Sequence, residues 1–370
     1  MNSLQALSKQ GQSVWLDTIQ RSLLTSGGLQ KLIDNDAISG LTSNPSLFAR
    51  AIIQSNEYNV DIARCRQRGI TDPQTIYEEL ASNDIRLAAE VMRPIYELTN
   101  KRDGYVSLEV SPQLATDTKA TCRDARRLWR MVDRANIMIK IPATDEGIVA
   151  IRTLLAEGIN INVTLLFSRK VYAKVIEAFL SGLEDLASAG GDIRGVASVA
   201  SFFVSRVDSA VDKIIDVRSQ SVNHTEQELL AALQGKVAIA NAKLAYQDYK
   251  HHFSTPRWQA LADQGAQSQR LLWASTGTKN PSYSDILYVQ ELIGVETVTT
   301  LPPETMDKFR QYGKAHATIE KNCSEARKVI DTLKQLNISL DEVSKQLTED
   351  GIAKFSDAFN NLLQSIENQS

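Results

Sequence analysis

Residues 136–142 read NIMIKIP. Successive side chains of a strand point to opposite faces, so Ile137, Ile139 and Ile141 share one face and Met138, Lys140 and Pro142 the other. Both faces are apolar apart from Lys140, and the segment does not read as a sheet edge. Comparable runs recur at 13–18 (SVWLDT), 38–43 (ISGLTS), 104–110 (GYVSLEV), 159–166 (ININVTLL), 195–202 (GVASVASF), 270–275 (RLLWAS) and 294–300 (GVETVTT), eight strands in all. The segments between them read mostly as helices. One spans about 73–100, with Thr71 or Asp72 as its cap and Pro73 in its first turn. Another covers 117–133, capped by Thr116 or Asp117, and a third follows Ser168 with Val171, Val175, Phe179 and Leu183 along one face. Strands alternating with helices predict a parallel sheet with right-handed crossovers. Eight such units predict a closed (β/α)8 TIM barrel. The open doubly wound alternative expects a Gly-rich phosphate loop, and neither G-x-G-x-x-G nor a Walker sequence follows the first strand.

Two regions exceed a minimal barrel. Residues 207–269 read as two or three helices with polar joints near 219–224 and 252–257, an insertion rather than a second domain. Residues 304–370 read as a helical tail whose last helix places Phe355, Phe359, Leu362, Leu363 and Ile366 on one face. That helix either packs on the barrel or also lies across the mouth of its site. Residues 1–370 are therefore expected to form one α/β barrel domain with an inserted helical segment and a C-terminal helical tail.

The composition narrows the function. Of 370 residues, 43% are hydrophobic and 23% charged, an ordinary globular balance. The 41 basic against 44 acidic residues give −3, which disfavours a nucleic-acid partner. Cys65, Cys122 and Cys323 lie too far apart for a zinc spacing or a disulfide framework. The four histidines, His224, His251, His252 and His316, follow no ligand pattern and sit at no strand end, so no metal and no cofactor is expected. Class II aldol chemistry, which gathers histidines or carboxylates around one ion, is rejected on that ground. The start MNSLQALSKQGQS has no apolar core and no apolar run reaches membrane-spanning length, so a cytoplasmic protein without a membrane partner is expected.

Polar residues recur on strand faces that should be core. If the isoleucine face of 137–142 meets the outer helices, Lys140 points into the barrel, where burial disfavours a charged amine and frees it to attack a carbonyl. Glu109 shares a face with Ser107 and Tyr105. Asn162 and Thr164 share one opposite Val163, Leu165 and Phe167. Asp17 lies with Trp15, Ser201 with Val199 and Ser275 with Trp273, and Asn44 follows Thr42. Asn44 and Asp17 could each cap a turn, and Thr164 could satisfy a backbone group. Together, however, these groups collect at the carboxyl ends of many strands, where this fold carries its active site. Arg206 in SFFVSRVD and Lys279 in ASTGTKNP follow the sixth and seventh strands, where such barrels commonly bind phosphate. The ordinary alternatives are an ion pair of Arg206 with Asp208 or Asp212, and a solvated loop lysine at 279.

At this point the chain resembles the transaldolases, in their longer bacterial form. The matching stretches are WLDT at 15–18, GLTSNPS at 40–46, SLEVSP at 107–112, IMIKIPAT at 137–144, NVTLLFS at 162–168, SFFVSRVD at 201–208 and WASTGTKNP at 273–281. The resemblance runs from about 13 to 365. It implies metal-free class I ketol transfer, with Lys140 as the Schiff-base lysine and Asp17 as the base for the C4 hydroxyl. Glu109 and Thr164 would hold a catalytic water, and Asn44 and Asn162 would bind the dihydroxyacetone unit. Ser201 would lie near that donor end, and Arg206, Ser275 and Lys279 would bind phosphate. Sugar phosphates are the implied partners, and a monomer or homodimer the implied state. The sequence departs from the commoner pattern at Ser43, Ser111 and the loop STGTKN, which is longer than the usual A-S-F-R-N and replaces a bidentate arginine by the point charge of lysine. An aldolase releasing dihydroxyacetone to water is the second enzymatic reading. A catalytically dead barrel serving as a binding module would have lost Lys140, Asp17 or Glu109, and all three are present.

Overall fold

The computed structural model describes residues 1–369. Its eight strands are β1 (Gln12–Asp17), β2 (Ile38–Thr42), β3 (Tyr105–Glu109), β4 (Ile137–Pro142), β5 (Ile161–Leu166), β6 (Ser198–Phe203), β7 (Arg270–Ala274) and β8 (Thr297–Leu301). Each is parallel to the next, and β8 pairs with β1, closing the (β/α)8 barrel expected from the alternation. The outward Ile137, Ile139 and Ile141 are fully buried. Inside, register brings Glu109 opposite Lys140 and Lys140 opposite Asn162, so three polar side chains from neighbouring strands share one level.

The amino end of the barrel is plugged. Fully buried Trp15 donates from Nε1 to Asp103 Oδ1 (2.8 Å), and Arg270 pairs with the same carboxylate at 3.0 Å. Gly40 faces the Trp15 ring so closely that a Cβ there would lie 2.5 Å from it. The pairing compensates a charge that would be costly if buried alone.

The three helices read from the sequence form as Pro73–Leu98, Thr118–Val132 and Arg169–Ser188. Asp72, Asp117 and Ser168 are their caps, each accepting from a first-turn N–H. One expectation is corrected. The segment at 207–269 contains more than two or three helices: Ser205–Arg218, His224–Ala231, Val237–His252 and Pro256–Ala262. The polar joints were readable. The break near 232–236 was not, because apolar residues run on to Leu233 and the turn depends on Gly235 at φ 67°, whose N–H donates to Asp212. The tail forms several helices, as read. Helices Pro303–Tyr312, Cys323–Gln335 and Leu340–Asn368 leave an irregular segment at 313–322, ending in turns, where the N–H groups of Thr318 and Ile319 donate to Ile293 O. The last helix buries Phe355, Phe359, Leu362 and Ile366, while Leu363 is half-buried. Phe359 meets Tyr77 edge-on at 5.4 Å, and Arg66 Nη2 donates to Ile366 O at 2.6 Å. This helix crosses the carboxyl-end mouth of the barrel. No helix among the described residues is long and apolar enough to span a membrane.

Candidate active site

A cavity of about 550 Å3 opens at the carboxyl ends of the strands. Asp17, Asn44, Lys140, Thr164, Ser201, Arg206, Ser275 and Lys279, drawn from six strands or the loops after them, all line it. Of the site residues named from the sequence, Glu109 and Asn162 do not line it and are buried on the strands either side of Lys140.

Lys140 is 5% exposed. Its Nζ donates to Ser43 O at 2.8 Å and lies 3.3 Å from Glu109 Oε2. The contact with Glu109 is an ion pair that draws the Glu109 pKa down. Glu109 Oε2 and Thr164 Oγ1 are buried polar atoms without a hydrogen-bond partner in the protein. Such atoms are uncommon in a native interior and mark places where a ligand or water belongs. Burial raises the Glu109 carboxyl above its ordinary range, against the lowering charges of Lys140 and Arg206, with Asp17 adding to the rise.

Asp17 ends β1 and, half-buried, lines the cavity. Surrounding protein raises its pKa, opposed first by Lys140, then by a hydrogen bond from Thr42, then by Arg206 and Lys279. Thr42 Oγ1 lies 2.8 Å from Asp17 Oδ1 and 2.7 Å from Thr300 Oγ1. An ionised carboxylate only accepts, so the chain runs Thr300 to Thr42 to Asp17. Asn162, fully buried, donates from Nδ2 to Ser107 Oγ (3.0 Å) and accepts from Ser201 Oγ at 2.6 Å. It therefore braces the cavity floor as well as neighbouring Lys140 on the adjacent strand.

Asn44 does cap a helix: its Oδ1 accepts from Leu47 N at the start of Pro45–Ile53, while the residue still lines the cavity. Ser275 corrects the alternation argument. Trp273 packs edge-on against Phe202, away from the cavity. A period of two would send Ser275 the same way, but φ 56° at Ser275 breaks the period and turns it inward. Its hydroxyl meets Ser205 Oγ at 2.8 Å. Leu165, at φ 53°, breaks β5 in the same manner just after Thr164.

Arg206 forms no ion pair with Asp208 or Asp212. Asp208 accepts from Ala238 N and Tyr288 Oη, and Asp212 from Gly235 N and Tyr283 Oη. The guanidinium instead lies over Phe203 and Phe355, with centroids 5.1 and 5.8 Å away. Lys279 is exposed at the cavity rim; partial burial and then Arg206 lower its pKa. Sequence reasoning missed Thr42, Thr300, the Ser43 carbonyl, Lys354 and Phe355. Strand alternation could have found Thr300 on the inner face of β8. Nothing local marks Lys354, one lysine on a long amphipathic helix. Among the described residues no three histidine, cysteine or carboxylate side chains gather as a metal site would require.

The arrangement presents a buried amine to the cavity, with two carboxyls beside it and cations at the rim. Chemically it can attack a carbonyl, relay protons and hold an anion. Parallel eight-stranded closure with such a site at the carboxyl ends defines an enzyme of the (β/α)8 class. The sequence model of the Transaldolase/Fructose-6-phosphate aldolase family matches residues 14–366, and the chain belongs to that family. Transaldolase 2 of Nostoc sp. is 46% identical to it over 371 residues, covering 99% of this chain and 97% of that protein. The transaldolase of Thermobifida fusca is 45% identical, covering 99% of this chain and 98% of that protein. That of Thiobacillus denitrificans is 45% identical, covering 99% and 100%.

Proposed function

We propose that the chain is a transaldolase. It moves a dihydroxyacetone unit from sedoheptulose 7-phosphate to glyceraldehyde 3-phosphate, giving erythrose 4-phosphate and fructose 6-phosphate through a Schiff base on Lys140. The observation that carries this reading is the Lys140 amine, buried in a closed barrel yet lining the cavity, 3.3 Å from Glu109. Glu109 is the nearest base for a proton leaving that amine. The freed lone pair attacks the C2 carbonyl of the ketose, and the carbinolamine loses water to an iminium. Glu109 Oε2 and Thr164 Oγ1, both without a hydrogen-bond partner in the protein, hold the water that carries these protons. Asp17, whose pKa burial raises above the ordinary carboxylate range, takes the C4 hydroxyl proton. The C3–C4 bond breaks, its electron pair passes to the iminium as an enamine, and the aldehyde leaves. The enamine then attacks the acceptor aldehyde, Asp17 returns the proton to the new C4 hydroxyl, and hydrolysis restores the lysine. Asn44 and Ser201, with Asn162 below, orient the dihydroxyacetone unit, and Arg206, Ser275 and Lys279 hold the phosphate. A place in the non-oxidative pentose phosphate pathway, in the cytoplasm and as a monomer or homodimer, accords with this reading.

Borohydride trapping with fructose 6-phosphate, followed by peptide mass analysis, tests it. An adduct at Lys140 is expected, and its absence, or full activity in Lys140→Ala, refutes the mechanism. The second half of the family's description favours one other reading, an aldolase. It would hold if dihydroxyacetone is freed at the rate of donor cleavage when no acceptor aldehyde is present.

A further inference from the structure

One element lining the cavity lies outside the barrel: the helix Leu340–Asn368, which brings Lys354 and Phe355 to the rim. Its approach is close. A Cβ at Gly351 would lie 2.7 Å from Leu165 Cδ2 and 3.6 Å from Arg206 Nη1. Lys354 has two acids within helical reach, Asp350 one turn before it and Asp357 three residues after. It pairs with neither within 4.0 Å, and Asp350 instead accepts from Gln346 at 2.8 Å. Arg206 and Lys279 also lack a carboxylate within that distance among the described residues. With Arg50, which also lines the cavity and makes no ion pair among the described residues, four cations therefore border one cavity without counter-ions. Glu304 lies on the same rim, and Asp17 deeper inside. Like charges gathered in this way oppose one another: beyond burial, Arg206 and Lys354 both hold the Lys279 pKa down, against the weaker pull of Asp17 and Glu304. An arriving dianion relieves that repulsion.

We propose that the C-terminal helix completes the anion subsite. Lys354 binds the substrate's phosphate together with Arg206 and Lys279, and Phe355 is a positioning residue that holds the Arg206 guanidinium against Phe203. This deepens the transaldolase reading and rests on its sugar-phosphate substrate. The ordinary alternative, a solvated helix lysine, leaves unexplained why Lys354 borders the cavity while making no ion pair with either helical acid.

The test uses full-length wild type, Lys354→Ala, Lys354→Glu and Lys354→Arg. Turnover is compared between glyceraldehyde 3-phosphate and unphosphorylated glyceraldehyde as acceptors, at fixed fructose 6-phosphate. For Lys354→Ala the kcat/KM ratio of phosphorylated to unphosphorylated acceptor falls about tenfold, the low end for a hydrogen bond to a charged group, because the lysine is exposed. The ratio falls further in Lys354→Glu and recovers in Lys354→Arg. Phe355→Leu raises KM for fructose 6-phosphate more than it lowers kcat. Affinity for inorganic phosphate alone, measured by calorimetry, falls with the ratio in Lys354→Ala. An unmoved ratio, or unchanged phosphate affinity, overturns the proposal. Failure of the transaldolase reading is read separately, as no borohydride adduct at Lys140, and the phosphate titration decides the subsite in that case too.

Discussion

Replacing Thr42 by valine removes one hydroxyl from the chain that ends on Asp17 and keeps the side chain's shape. Thr42 is buried, and its Oγ1 lies 2.8 Å from Asp17 Oδ1. The bond favours the ionised carboxylate, the form that accepts the C4 proton. Losing it raises the Asp17 pKa further, so the acid limb of the pH–kcat/KM profile moves to higher pH. A hydrogen bond to a charged group contributes about 1.5–3 kcal/mol. The low end applies because the carboxyl opens onto the cavity, and it corresponds to about a tenfold weaker ionisation. On the acid limb kcat/KM therefore falls about tenfold, and the deficit narrows as pH rises and Asp17 ionises in both proteins. The assay is the coupled initial rate across pH, with Thr42→Ser as a control that keeps the hydroxyl and the limb. A deficit equal at every pH, or a limb displaced to lower pH, refutes the reasoning. Thr300 Oγ1 also loses its partner in the valine variant, so a modest loss of thermal stability accompanies the change without altering the pH argument.

Three further outcomes are expected. Thr164→Val slows formation of the trapped Lys140 adduct by about a hundredfold, the lower range for positioned proton transfer, measured by quenching single turnovers with borohydride. Gly40→Ala drives a Cβ to 2.5 Å from the buried Trp15 ring and costs about 1–3 kcal/mol, read from denaturant midpoints at constant slope. Asp208, pushed by burial from its ordinary 3.8 to about 7, keeps its proton in the folded protein while the unfolded chain loses it. Wild-type stability therefore declines between those pH values, and thermal unfolding of Asp208→Asn across the same range shows a shallower decline.

Much of this was legible in the sequence because strands and buried faces obey local rules. NIMIKIP announced an inward lysine, and the structure places Lys140 there. Glu109 and Asn162 were found on the right strand faces, level with Lys140, but neither lines the cavity, since which side chains of one level reach it depends on how their neighbours pack around them. Ser275 was found although its assumed face was wrong: a single left-handed residue reversed its direction, and nothing in SVWLDT-like alternation foretells a φ of 56°. The alternative reading of Arg206 as an ion-pair partner of Asp208 or Asp212 fails because those carboxylates are used by Tyr288 and Tyr283, some 70–80 residues away in sequence.

The sequence by itself determined that eight strand–helix units close on themselves and that one lysine, several carboxyls and amides gather at their carboxyl ends. Those facts follow from side-chain period and burial cost, which act over a few residues. The tertiary structure alone decided that the Ser43 carbonyl orients the lysine, that Thr300 and Thr42 prepare Asp17, and that the last helix carries Lys354 and Phe355 to the mouth. Lys354 and Arg206 stand 148 positions apart in the chain. No local preference couples residues so distant, and only the packing of Phe355, Phe359, Leu362 and Ile366 against the barrel brings that helix over the site.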